Sequence, residues 1–310
     1  MKNKYLLFTF CRELLLPGCS ATSHPIGKPA LGKPSSSAEI ERLIDRSGPI
    51  QLETISSADW SVPLASLLNL NSPAAIKAGL KNRGEPIQIY AHVLKHPRFG
   101  NFLVDTGVSR KLLGDPDRYG VNWLIQKVMH FEKIRINKST AEILQGMDGK
   151  LSGVFFTHLH LDHISGLPDI PDDVSMYIGA TESSTRSFKN MFTHGVTDQL
   201  LEGRPPLQEW RFQPDPQNKF EGIVDVFEDD SVFTISVPGH TPGSVAFLVR
   251  TTHGPVLLTG DTCHTCWGWE HTVEPGYFTD DNARNLLNLK SLKDLVVDHP
   301  QIEVRLGHQH

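Results

Sequence analysis

Residues 151–163 read LSGVFFTHLHLDH, an apolar strand running straight into three histidines and an aspartate. No other stretch narrows the fold as much. A strand ending on His158, His160, Asp162 and His163 must open onto a polar edge where ring nitrogens and a carboxylate crowd together. His158 and His160 are two apart, so on an extended strand end they point the same way. Imidazole nitrogen and carboxylate oxygen both bind zinc, at about 2.0–2.2 Å. An isolated H-x-H arises by chance, whereas H-x-H-x-D-H directly after a strand points to a metal.

Further donors sit where other strands end. SVPGHTPGSVAF places His240 in a tight Gly/Pro loop that can present one ring without crowding. VLLTGD places Asp261 after a buried-looking strand, and VRLGHQH does the same for His308. Each has a plainer reading: Asp261 as a helix cap, His240 as a turn hydrogen bond, His308 as part of a loose terminus. Three strands that all end on candidate donors favour a shared site.

The intervening pattern is rich in strands. Alternation marks 85–96 and 100–107 as strands joined by a hairpin at 97–100, and 171–183 holds another. Two strands flank a turn at Asp229 and Asp230, and a hairpin turns at His253 and Gly254. Residues 181–195 read as helical, residues 200–222 as irregular, and 282–300 as a helix with a leucine stripe. A short helix is expected near 38–48. Many strands with a few covering helices predict two packed sheets with helices outside.

Composition excludes some classes. With 30 Lys plus Arg against 35 Asp plus Glu, the net charge is -5, which does not suit a nucleic-acid partner. No apolar run reaches the length of a membrane span. Cys263 and Cys266 make one C-x-x-C without the second pair a zinc knuckle needs. A disulfide, two reduced buried thiols, or a redox pair remain open for them. The opening MKNKYLLFTF followed by LPGC has the shape of an export signal with a lipoprotein processing box, although Arg12 and Glu13 interrupt its apolar stretch. The expectation is a signal over 1–18, a lipid anchor at Cys19, a flexible Ser/Pro/Gly tether over 19–38 and one folded domain over 39–310. The protein is then periplasmic or membrane-anchored, and otherwise cytoplasmic.

FLVDTG (102–107), THLHLDH, PGHTPGS (238–244), TGD (259–261) and LGH (306–308) together resemble, in kind and order, the metallo-beta-lactamase superfamily over about residues 85–310. The resemblance implies an α+β fold, a four-layer αββα sandwich with a two-metal site at one edge of its sheets. It implies His158, His160 and His240 as ligands of the first ion. Asp162, His163 and His308 are implied for the second, with Asp261 bridging both and Asp105 beside the site. His310 either supports a ligand from behind or is a decoy with no part in the site. The cofactors implied are two divalent ions, zinc first, with manganese or iron as alternatives. The activity implied is hydrolysis of an ester, lactone or phosphotriester in a small molecule by a metal-bridging hydroxide, with Asp162 and Asp261 as catalytic residues; His264, where the chain departs from the pattern, is a third catalytic candidate that either replaces a substrate-contacting donor or only sits on the loop.

Within the superfamily the pattern is most similar to quorum-signal lactonases and methyl-parathion-type hydrolases. Asp261 stands against a zinc beta-lactamase, and the short stretch after His308 against an acylglutathione thioesterase; these remain alternatives, as does a non-hydrolytic metal-containing binding or redox module. Lactonases carry a tyrosine three residues after the bridging aspartate, where this chain has His264. Phe188, Phe192, Trp267, Trp269 and Tyr277 either pack the long loops or line a substrate pocket.

Overall fold

The computed structural model describes residues 18–309. Its strands in chain order begin with β1 (Ile26–Gly27), β2 (Lys33–Ser35), β3 (Gln51–Pro63), β4 (Gly84–His96), β5 (Gly100–Val104), β6 (Arg135–Ile136) and β7 (Leu151–Phe155). They continue with β8 (Ser175–Ile178), β9 (Leu207–Glu209), β10 (Ile223–Asp225), β11 (Val232–Ser236), β12 (Val245–Thr251), β13 (Gly254–Leu258) and β14 (Glu303–Arg305). One sheet runs β1-β9-β8-β7-β5-β4-β3-β6 and the other β14-β13-β12-β11-β10-β2.

Side chains on a strand alternate between faces, and both faces of each sheet are covered. Phe102, Val104 and Phe155 point between the sheets, where they meet Phe227, Val245 and Phe247. Phe102 and Phe155 stack there with ring centres 4.9 Å apart. Their chain neighbours Leu103, Val154 and Phe156 face outward, under Ile164, Val196 and Leu200. On the second sheet Ala246 and Leu248 face outward beneath Leu292 and Leu295 of the helix Asn282–Asp298. Full burial of each large apolar side chain contributes about 1.5–3 kcal/mol. Helix, sheet, sheet and helix thus stack in the expected αββα order. Among the described residues only the helices Asn190–Leu201 and Asn282–Asp298 exceed two turns, and no helix is long and apolar enough to cross a membrane.

Several expectations need correction. Residues 19–38 are not a flexible tether. β1 pairs in parallel with β9, and β2 pairs antiparallel with β10, so the segment closes an edge of each sheet. Thr22 and the Ser23 amide both donate to Asp198. Ala21 is buried, and Ser36 caps the helix Ser37–Leu43 in a capping box with Glu39. The physical reason is that backbone groups of unpaired edge strands take up any extended segment laid beside them, whatever its composition. The proposed signal over 1–18 lies, except for Gly18, outside the described residues, as does His310. The helix expected over 181–195 begins only at Asn190 and ends at Leu201, because residues 181–189 form turns packed against the N-terminal segment. Residues 207–209 of the stretch expected to be irregular form β9. Cys263 and Cys266 are unpaired, one buried and one exposed, and burial pushes the Cys263 thiol up to about 12, which disfavours redox use.

Candidate metal centre

Each predicted donor lies just beyond the carboxyl end of a strand. β7 delivers His158, and the turn after it becomes a short helix, Leu161–Ile164, that carries Asp162 and His163 on its first turn. β11 leads to His240, β13 to Asp261 in the turn Gly260–Thr262, and β14 to His308. The seven residues come from four segments as far as 150 positions apart and meet at one edge of the sandwich.

They form two groups of four that share Asp261: His158, His160, His240, Asp261 and Asp162, His163, Asp261, His308. Asp261 Oδ2 lies at the middle, 3.3 Å from His163 Nε2, 3.4 Å from His240 Nε2, 3.5 Å from His308 Nε2 and 3.7 Å from His158 Nε2. Asp162 Oδ2 is 3.3 Å from His308 Nε2. His160 Nδ1 and His240 Nε2 face each other at 2.9 Å.

The rear nitrogens explain why the front ones are available. Nδ1 of His158 is 3.1 Å from Thr157 Oγ1, Nδ1 of His163 is 2.8 Å from Asp105 Oδ2, and Nδ1 of His308 is 2.7 Å from the Gln88 carbonyl. Nδ1 of His240 is 3.2 Å from Thr279 Oγ1. Each rear contact offers an oxygen that can accept the Nδ1 proton, which turns Nε2 inward, where it presents a lone pair whenever it carries no second proton. His158 Nε2, His163 Nε2 and Asp261 Oδ1 are buried with no hydrogen-bond partner. Leaving a buried polar atom so costs about 1–3 kcal/mol, which a cation in the centre removes. The donor set of imidazole and carboxylate, with its supporting shell, therefore fits two divalent ions.

The electrostatics divide the two groups. Burial, reinforced by neighbouring rings, holds His158 and His240 well below the ordinary histidine range, and burial also lowers His160. Burial acts against charge on His163 and His308 too. There the Asp261 carboxylate, with Asp105 for His163 and Asp162 for His308, outweighs it: His163 is held well above the ordinary range and His308 up to about 10. Burial opposes ionisation of Asp162, yet His163 and His308 hold its carboxyl down at about 2. The histidines of the first group are neutral and ready for a cation, while those of the second store protons that a cation must displace.

Three further residues belong to the site. Asp105, at a left-handed φ of 55°, accepts from the Thr157 amide and hydroxyl as well as facing His163. His264 gives its Nδ1 proton to the Leu67 carbonyl at 3.1 Å and places Nε2 2.9 Å from Asp261 Oδ2. Glu182, 2% exposed, lies behind the histidine loops and carried no signal in the sequence beyond being one acid in a turn. Of the aromatic candidates, Trp269 packs on the helix Asn282–Asp298 and Trp267 beside Leu68. Phe188, Phe192 and Tyr277 are exposed. A separate apolar recess, lined by Trp60, Ile89, Met129, Phe131 and Leu161, adjoins Asp162.

The metallo-beta-lactamase superfamily model matches residues 84–308. The N-acyl homoserine lactonase AttM of Azorhizobium caulinodans is 28% identical over 207 residues, covering 65% of this chain and 76% of that protein. The gamma-lactamase MBL2 of Gibberella moniliformis is 30% identical over 145 residues, or 43% of this chain and 60% of that protein. Among solved structures, a quorum-quenching N-acyl homoserine lactone lactonase aligns with a TM-score of 0.59 at 19% identity, over 86% of this chain and 94% of that one. AidC, a dizinc quorum-quenching lactonase, aligns with a TM-score of 0.55 at 14% identity, over 91% and 92%. At these identities the structural likeness speaks for the fold, and the family match covers the segment that carries all seven donors. The chain belongs to the metallo-beta-lactamase superfamily and is a metal-dependent hydrolase.

Proposed function

We propose that the protein opens the ring ester of a lactone, with N-acyl homoserine lactones as the first substrate class to test. The observation that carries this reading is the pair of four-donor groups sharing Asp261, in a chain whose relatives include named lactonases. The apolar recess beside Asp162 supports it, since an acyl chain needs an apolar wall next to the reacting ester. Five imidazoles with two carboxylates suit zinc, and manganese or iron accept the same set.

Two divalent ions bound there supply a Lewis acid for the carbonyl and an activated water near neutral pH. The chain's own residues do the rest. Asp261 keeps the two groups in register. Water adds to the carbonyl carbon, the ring carbon–oxygen bond breaks, and the departing oxygen needs one proton to become the alcohol. Asp162, ionised and beside the apolar recess, is the proposed carrier of that proton. His264 is the proposed replacement for the tyrosine of lactonases. Because Nδ1–H is committed to Leu67, Nε2 donates to a developing oxyanion only from the doubly protonated ring.

The test is a hydrolysis screen of metal-loaded protein against N-acyl homoserine lactones of several chain lengths, aryl esters, a phosphotriester and a cephalosporin. Preferential turnover of lactones, abolished by chelation and restored by zinc, manganese or cobalt, is expected. Inert lactones alongside rapid turnover of a phosphotriester or a cephalosporin overturn the assignment while leaving the family intact.

A further inference from the structure

Behind the first donor group lies a buried carboxylate whose hydrogen bonds go to the loops and to none of the seven donor side chains. Glu182 Oε1 accepts the Leu159 amide at 2.8 Å. Its Oε2 accepts the Gly243 amide at 3.0 Å and the Thr241 hydroxyl at 2.6 Å. The placement of these donors matters. Leu159 lies between His158 and His160, Thr241 follows His240 directly and Gly243 lies three residues after it. One side chain thus spans the two loops that carry all three histidines of the first group.

The surroundings leave little freedom. A Cβ on Gly243 would sit 2.5 Å from Glu182 Cβ, and one on Gly179 would sit 1.9 Å from the Gly243 carbonyl. Thr181, next to Glu182, holds a left-handed φ of 65°, unfavourable for a β-branched residue. Thr241 is fixed a second time, its amide donating to Ser244 Oγ at 2.9 Å. The second group has a counterpart in Asp105, which reaches His163 directly.

We propose that Glu182 is the positioning residue of the first metal site, a pin that holds the His158–His160 loop and the His240 loop at the separation a cation requires. This rests on the two-metal reading above and assigns a role to a residue that binds neither metal nor substrate. The chemistry of the pin is specific, because all three neighbours are donors and only an acceptor-only group satisfies them together. The isosteric amide fails. If Gln keeps its oxygen toward Thr241 and Gly243, its NH2 meets the Leu159 amide donor to donor. Turned over, it meets the Gly243 amide instead.

The full-length chain, stripped of metal and reloaded with zinc or cobalt against a competing chelator, provides the test. Glu182→Gln is expected to weaken the first site about 10–100-fold and leave the second within about threefold, the size of loss typical of supporting residues. The site losing its ion is identified from the ring resonances of His240 and His308. Amide exchange at Leu159 and Gly243 in the metal-free chain should accelerate in the same variant. Thr241→Val, which removes one donor and keeps the carboxylate, should give a smaller loss with the same selectivity, and it serves if Glu182→Gln does not fold. Equal weakening of both sites, or unchanged metal affinity and exchange, overturns the proposal. Wild-type protein that takes up no metal overturns the two-metal reading instead, and the exchange measurement still decides whether Glu182 pins the two loops.

Discussion

Asp261 is the residue on which both donor groups depend. Its Oδ2 lies within 3.7 Å of four candidate ligand histidines, and no other side chain belongs to both groups. Asp261→Ala should therefore lose both ions and reduce activity by well over about 100-fold, more than loss of a supporting residue brings. Elemental analysis decides it: a variant with two ions and full turnover removes the bridging role. His264 calls for a finer separation, since it touches Asp261 before any substrate arrives. As an oxyanion donor it should be worth about 10–100-fold in kcat, or about 1.4–2.7 kcal/mol, when replaced by Ala. His264→Ala with full metal content and that loss supports the donor role. Lower metal content shows that it acts by holding Asp261 in place, and wild-type kinetics with full metal leave it as part of the loop.

At the scale of elements, the site was legible wherever chemistry and a strand end coincide along the chain. His158, His160, Asp162 and His163 are neighbours in sequence, and His240, Asp261 and His308 each follow an apolar strand and a glycine. What escaped is bonded through backbone. Gln88 and Leu67 act through carbonyls, and Glu182 acts on amides, so no residue type announces them. β3 escaped for a different reason: QLETISSADWSVP offers few apolar positions and is held by its long ladder with β4, a nonlocal partner. The same strand-end elements set a pH dependence. In the metal-free chain at pH 7 the second group holds protons on His163 and His308, whose pKa values are raised, while the first-group histidines are neutral. Loading the second site should release about two protons, and its affinity should rise with pH toward 10; the first site should change little above neutrality. Titration calorimetry in buffers of differing ionisation enthalpy measures the release, and a second-site affinity independent of pH between 6 and 9 contradicts it.

At the scale of the whole molecule, the segment 19–38 changes how the chain is bounded. Its Ser, Pro and Gly content reads as a linker, yet it lies along both sheets and covers Trp210 and Val224. Gly32 shows how close the fit is: it holds a φ of +100°, and a Cβ there would sit 2.6 Å from Val224 Cγ1 and 3.3 Å from the Trp210 ring. Gly32→Ala should destabilise the protein by about 1–2 kcal/mol through backbone strain alone. That corresponds to a fall of roughly 2–8 °C in Tm. Removing residues 1–38 has a larger consequence, because it bares the edges of β9 and β10 and the apolar side chains beneath them. An unpaired, apolar edge invites association between chains. The truncated protein should therefore be poorly soluble or aggregate on heating, whereas a chain begun at Gly18 keeps the pairing segment. The strap also joins the site's surroundings, since Thr22 bonds to Asp198 and the Cys19 backbone pairs with Ser187, whose hydroxyl donates to Asp280 next to the His240 loop. Loss of residues 19–38 should consequently weaken metal retention as well as solubility. Size-exclusion chromatography and metal analysis of the two truncations decide the matter: a soluble, monodisperse 39–310 fragment with full metal content would show that the strap is dispensable to both edges.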